Sequence, residues 1–221
     1  DNVAVGHSAL KLNTTGASNV AVGYESLDAN TTAPNNTAVG YAALTANTTG
    51  DTNVAVGKDS MKANTTGTNN TALGPRTLQA NTTAVNNVAV GDLALGANTT
   101  GASNVAVGTG AGSTVTTGSK NTIIGSYNGN QDGLDMRTLS NYIVLSDGDG
   151  NRRFTIRNDG TVGIKDAAFV ASGVAQVNVP AAGIAIINAD TNGHYRLCYQ
   201  SSDQNMYWSN GSNQGYLSSS G

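Results

Sequence analysis

The sequence predicts an all-β fold: a parallel β-roll, or β-solenoid, of 17-residue coils, followed by a β-meander and a small β-rich domain. Three observations lead there. Gly6, Gly23, Gly40, Gly57, Gly74, Gly91, Gly108 and Gly125 recur at a fixed interval of 17 residues. Asn2, Asn19, Asn36, Asn53, Asn70, Asn87, Asn104 and Asn121 keep step with them. Between each Asn and Gly stands Val/Thr-Ala-Val/Leu, which becomes Thr-Ile-Ile in the last copy. A period this short is one coil of a stack in which each coil is stabilised by its neighbours. Eight coils at about 4.8 Å each make a rod of roughly 40 Å.

Within one coil, residues 19–35 for example, Asn-Val-Ala-Val reads as a short strand closed by Gly23. Side chains alternate faces along a strand, so Val20 and Val22 share one face and Ala21 takes the other. The larger residues are expected to point into the coil, with Leu27 and Ala29 as the opposing wall. Ala21 then points outward. Its file, Ala4, Ala21, Ala38, Ala55, Ala72, Ala89 and Ala106, holds alanine seven times before Ile123, whereas the position after the Gly varies freely from His7 to Thr109. An outward position restricted to a methyl group implies close packing against another copy. The Ala file is therefore expected to be the interface between copies. The repeated Asn file, Asn2 to Asn121, is expected to form an amide ladder from coil to coil. A second Asn file, opening Asn-Thr-Thr at 13, 30, 47, 64, 81 and 98, is expected at a left-handed corner. The Gly is expected at a φ > 0 corner or a close backbone approach.

The last coil departs from the pattern. Gly112 replaces the Leu and Val115 the second Asn, as in a capping repeat. This places a boundary near residue 126 and three regions: shaft repeats 1–125, connector and meander 126–165, and a β-rich distal domain 166–221. The meander strands are read at 142–145, 153–156 and 161–164, separated by Asp/Asn/Gly turns. Aromatics concentrate in the distal region, where Tyr199, Tyr207 and Trp208 are candidates for stacking on sugar rings, against the alternative of core packing.

Composition narrows the function. Charged residues are 11% of the chain and the net charge is −3, so no basic stripe for nucleic acid or anionic lipid is present. No run of about 18 apolar residues predicts membrane insertion in this segment. Cys198 is the single cysteine, which excludes a disulfide scaffold and leaves a buried structural thiol as its expected role. Asp147-x-Asp149-x-Asn151 opens like a calcium loop, but Arg152 stands where such a loop needs Gly, and a hairpin turn is the expectation. His7 and His194 have no metal-ligand company, and no cofactor is expected. Paired acids for glycoside hydrolysis are not evident in the coils, so no enzyme is expected, with a polysaccharide-degrading spike as a minor alternative. The Thr pairs raise an ice-binding solenoid as another. The recurrent Asn-x-Thr sequons are explained more simply by Asn ladders. The chain opens at Asp1 inside a repeat and is expected to be a piece of a longer protein, with Gly221 either a processed end or not.

Asn-Val-Ala-Val-Gly-Tyr-Glu-Ser-Leu and Asn-Thr-Ala-Val-Gly-Tyr-Ala-Ala-Leu resemble the head repeats of trimeric autotransporter adhesins, which are trimers of parallel β-rolls; the resemblance covers residues 1–125. The stretch from Asn141 to Ile164, with its Ser-Asp-Gly-Asp-Gly-Asn-Arg-Arg-Phe-Thr-Ile core, is similar to segments of phage tail fibres and spikes. Such segments often precede a self-cleaving chaperone. Together these resemblances imply a homotrimeric fibre, with the Ala file as its trimer interface, for attachment to a host-surface glycan or receptor, located on a virion or extracellular appendage. The runner-up is the head of an adhesin on a bacterial cell surface.

Overall fold

The computed structural model describes residues 1–160 and 162–164, and the backbone of four further strands at 186–189, 195–200, 206–209 and 214–217. All its elements are strands and turns. By internal contact the chain forms two units, Asp1–Lys165 and Asp166–Gly221.

The first unit is a parallel β-solenoid. Strands β1 (Val3–Val5), β2 (Val20–Val22), β3 (Thr37–Val39), β4 (Val54–Val56), β5 (Thr71–Leu73), β6 (Val88–Val90), β7 (Val105–Val107) and β8 (Thr122–Ile124) each supply one rung. They pair in parallel with no slip, so Ala4, Ala21, Ala38 and their successors lie in one row. The sheet does not end at the expected boundary near 126. β11 (Ile143–Ser146) adds in parallel to β8, and β12 (Arg152–Ile156) and β13 (Val162–Ile164) continue it antiparallel, giving eleven strands in one sheet. A two-stranded hairpin, β9 (Asn130–Gln131) and β10 (Leu134–Asp135), projects from the last coil.

The burial parity is the reverse of the sequence expectation. Ala21, Ala38, Ala55, Ala72, Ala89 and Ala106 are fully buried by their own chain, facing the Leu file of Leu27, Leu44, Met61, Leu78 and Leu95. The flanking Val residues point outward: Val56 and Val107 are each 38% exposed. Ala29 and its equivalents are only half-buried, and Leu12 is exposed. The physical reason is the width of the coil. One leucine per coil fills the space beneath the strand, and only a methyl group fits above it at close-packed density.

Left-handed backbone also falls elsewhere than expected. It is not found at the second Asn file. It is found at the Leu file (Leu27 φ 50°, Leu44 φ 51°, Leu95 φ 51°), two residues earlier (Glu25 φ 52°) and just before the ladder Asn (Asn35 φ 60°). With this backbone, N–H groups of one coil reach both neighbouring coils. Glu25 donates back to His7 O at 2.9 Å, and Leu27 donates forward to the Ala43 carbonyl at 3.1 Å. Stacking hydrogen bonds therefore offset conformational strain of about 1 kcal/mol per residue. The Gly file is at φ +126° to +138° in seven coils, as the sequence suggested; a Cβ on Gly40 would lie 2.6 Å from the Gly57 carbonyl oxygen.

In the second unit, β14 (Ile186–Ala189), β15 (Tyr195–Gln200), β16 (Met206–Ser209) and β17 (Gln214–Leu217) form a four-stranded antiparallel sheet. No helix among the described residues is long and apolar enough to cross a membrane.

Candidate functional site

The interior of the stack is closed by polar ladders, which leaves the outer face of the sheet as the surface with functional potential. The first Asn file is a ladder of mixed kind. The backbone N–H of Asn19 donates to Asn2 Oδ1 at 2.8 Å, while Asn19 Nδ2 donates to the Ala33 carbonyl at 2.9 Å. The same pair of contacts repeats at Asn36, Asn53, Asn70, Asn87, Asn104 and Asn121. Direct amide-to-amide bonding, expected of this file, is the main feature of the second one. There Asn30 Nδ2 donates to Asn13 Oδ1 at 2.9 Å, and the relay continues through Asn47, Asn64, Asn81 and Asn98. A third file of Thr hydroxyls (Thr14, Thr31, Thr48) donates to the carbonyl one coil on. Buried amides thus find partners on both sides until the second file ends at Asn98, as a dry interior requires. The Asn of the Asn-Thr-Thr words are consumed internally, which disposes of these sequons as attachment points.

With the Ala file inside, the expected trimer-interface residues Ala4, Ala21, Ala38, Ala55, Ala72, Ala89 and Ala106 do not form the outer surface of the sheet; only Ala4, on the first rung, is exposed. Their restriction to alanine has its cause within the chain. The outer surface belongs instead to the two residues flanking each Ala. Val3 and Val5 are 51% and 58% exposed, and the pattern runs through Val88, Ile124, Ile143 and Leu145 to Val162 at 55%. The antiparallel register keeps the stripe intact past β11, because Phe154 and Ile156 stand opposite Leu145 and Ile143 while Thr155 stays buried with Val144. The result is a predominantly apolar ribbon two side chains wide along β1–β8, β11 and β12, with Val162 of β13 continuing one file. Sequence reasoning missed it by one residue of parity; the signal was present, since both flanking files are nearly all β-branched or Leu.

The coil aromatics and several charged groups lie off this ribbon. His7, Tyr24 and Tyr41 stack ring on ring at centroid distances of 5.1 and 5.2 Å, with the Lys58 ammonium 6.0 Å beyond. Arg76 pairs with Asp92 across adjacent coils at 2.7 Å. In the Asp147 turn, the carboxylate accepts the N–H groups of Asp149 and Asn151 at 3.1 and 2.9 Å and the Arg153 guanidinium at 2.7 Å. Desolvation pushes this carboxyl up, but hydrogen bonds from Asn151, Arg153 and Asp149 outweigh it and hold it below the usual range. Its oxygens serve the hairpin turn, and no cluster of acids, His or Cys among the described residues is disposed to hold a metal.

Of the aromatic candidates, Tyr199 pairs with Tyr207 in the backbone register and Tyr207 with Tyr216, while Trp208 pairs with Gly215 in the adjacent row. Cys198 lies opposite Ile186. His194 lies outside the described residues. No family model, curated protein or solved structure matches the chain.

Proposed function

We propose that this chain is the shaft and distal region of a homotrimeric attachment fibre, a virion or extracellular appendage that presents its distal unit to a surface glycan or receptor. One observation carries the reading: the outward, predominantly apolar ribbon, in which Thr37, Thr71 and Thr122 are the polar positions of the solenoid strands. A soluble single chain rarely leaves such a contiguous stripe in water. Two side chains per strand, at roughly 50 Å² of exposed surface each, sum to on the order of 1,000 Å² per copy over ten strands, about what a stable interface buries per partner. Every solenoid rung presents at least one apolar side chain outward, so a partner must be matched along the whole stack, and another copy of the chain meets that condition. The resemblance of the coil to trimeric β-roll heads supports three copies, and the meander's resemblance to tail-fibre segments supports the appendage. The adhesin-head alternative is favoured by the Asn-Val-Ala-Val-Gly coil word alone.

Sedimentation equilibrium of the full chain tests the assembly. Wild type is expected at three chain masses, Val56→Glu at one, and Lys58→Glu, off the ribbon, at three. A monomeric wild type overturns the proposal. Binding of the trimer to a glycan array then tests attachment, with Trp208→Ala expected to reduce it.

A further inference from the structure

We propose that Thr37, Thr71 and Thr122 are register pins, polar positions on the apolar ribbon that align the copies along the stack by meeting only their own counterparts. This rests on the self-association proposed above. A ribbon that repeats every coil has a weakness: slipping one copy by a whole coil replaces Val with Val and changes little except at the ends. Something must distinguish the rungs.

The residue after the ladder Asn is Val in five of the first eight coils and Thr in three. Those three Thr stand on the outer face, partly exposed, in rows paired directly with Val20, Val54, Val88 and Val105. Their backbone N–H groups serve the stack, but among the described residues their hydroxyls make no hydrogen bond. Thr14, Thr31 and Thr48, by contrast, each bond the next coil through Oγ1. Within one chain the ribbon hydroxyls therefore do nothing that a Val methyl would not. Between copies they matter. A hydroxyl opposite a methyl is buried without a partner, whereas hydroxyls at one height satisfy each other as donor and acceptor.

Their spacing completes the inference. The pins lie in the third, fifth and eighth coils, separated by two coils and then three. No two separations are equal, so any slip aligns at most one pin with another and strands the rest. A single polar residue that sets register in an apolar seam of a coiled coil works by the same physics.

Moving a pin tests this. The exchange T71V with V88T shifts the middle pin by one coil at constant composition. It is co-expressed with differently tagged wild type, and the trimers are counted by native mass spectrometry. Each chain is expected to trimerise alone, and mixed trimers to fall roughly tenfold below their binomial share of about three quarters, the scale set by one unpartnered buried hydroxyl. T71S, which keeps the hydroxyl in place, should mix freely. Mixing at the binomial share by the exchanged chain overturns the pins while leaving the trimer standing, as does an exchanged chain that folds but does not trimerise with itself. A monomeric wild type overturns the trimer and the pins together. A second exchange, T37V with V54T, covers the case in which the first does not fold.

Discussion

The regular coils and the stretch that follows them, residues 109–164, solve the same packing problem with opposite choices. In a regular coil the large residue comes from the Leu file and the methyl from the strand. In the seventh coil Gly112 takes the Leu position, and one rung on Ile123 takes the Ala position. The exchange is reciprocal: a Cβ on Gly112 would lie 2.9 Å from Leu95 Cδ2 and 3.1 Å from Ile123 Cδ1. Core volume is conserved while its source crosses from one wall to the other. The polar ladders behave differently. The second Asn file stops where Val115 replaces Asn, and Asn98 Oδ1 is left buried without a partner. The first file survives one step further, because the N–H of Tyr142 takes the place of an Asn N–H at 3.0 Å from Asn121 Oδ1, across 21 residues instead of 17. The extra length is the β9–β10 hairpin, anchored by buried Tyr127, whose hydroxyl donates to the Leu134 carbonyl at 2.5 Å. Apolar packing tolerates substitution if volume is kept; a relay of amides has to be continued or ended.

The largest expected effect lies in the ladder. Asn64→Ala removes a side chain that accepts from Asn81 at 2.7 Å and donates to Asn47 Oδ1 and the Gly67 carbonyl, leaving Asn47 Oδ1 and one Asn81 N–H short of a partner, while the Gly67 carbonyl still accepts from Asn53. We expect a loss of about 3–5 kcal/mol in chemical denaturation. Asn98→Ala, which has no partner on its far side, should lose about 1–2 kcal/mol less. Equal losses would show that the ladder does not distinguish the two regions.

The volume exchange predicts the next effect. Gly112 already has the backbone of the Leu file (φ +62° against 51° at Leu95), so Gly112→Leu is opposed by crowding against Leu95 and Ile123 and by the same left-handed strain that the Leu file carries. It should cost about 2–3 kcal/mol. Ile123→Ala should cost a similar amount through its cavity. The double variant rebuilds a regular coil and should fall well short of the sum; strict additivity in thermal melts would refute the exchange.

The smallest effect is at Tyr127. Tyr127→Phe leaves the Leu134 carbonyl without its donor and should cost about 1–2 kcal/mol. Burial pushes the phenol up to about 12. An unfolded tyrosine ionises near 10, so its contribution is complete below pH 10 and is lost as pH rises from about 10 towards 12. Wild type should show that alkaline decline in stability, and the Phe variant should show less of it.

Much of this was legible in the sequence. The period, the strand positions, the Gly file and the meander turns follow from residue type and spacing, and the all-β solenoid follows from them. Inside and outside were not. A three-residue strand offers only parity, and Val-Ala-Val satisfies either face. What decides is that Leu27 already fills the coil, so Ala21 is restricted by its own chain. The left-handed leucines were illegible for another reason: intrinsic preference disfavours them, and only hydrogen bonds to neighbouring coils make them worthwhile. The apolar ribbon became readable once parity was fixed. The placement of Tyr199 and Tyr207 is set by backbone pairing in the second unit.

The hydrogen bonds between coils run along the axis of the stack, whereas the chain within a coil runs across it. Tension applied to the two ends of one chain therefore loads a single rung at a time, like a seam opened stitch by stitch. Each rung that gives way yields 17 residues, roughly 55–60 Å of slack, in place of about 4.8 Å of height. A tether built this way lengthens about tenfold as it opens, dissipating load progressively.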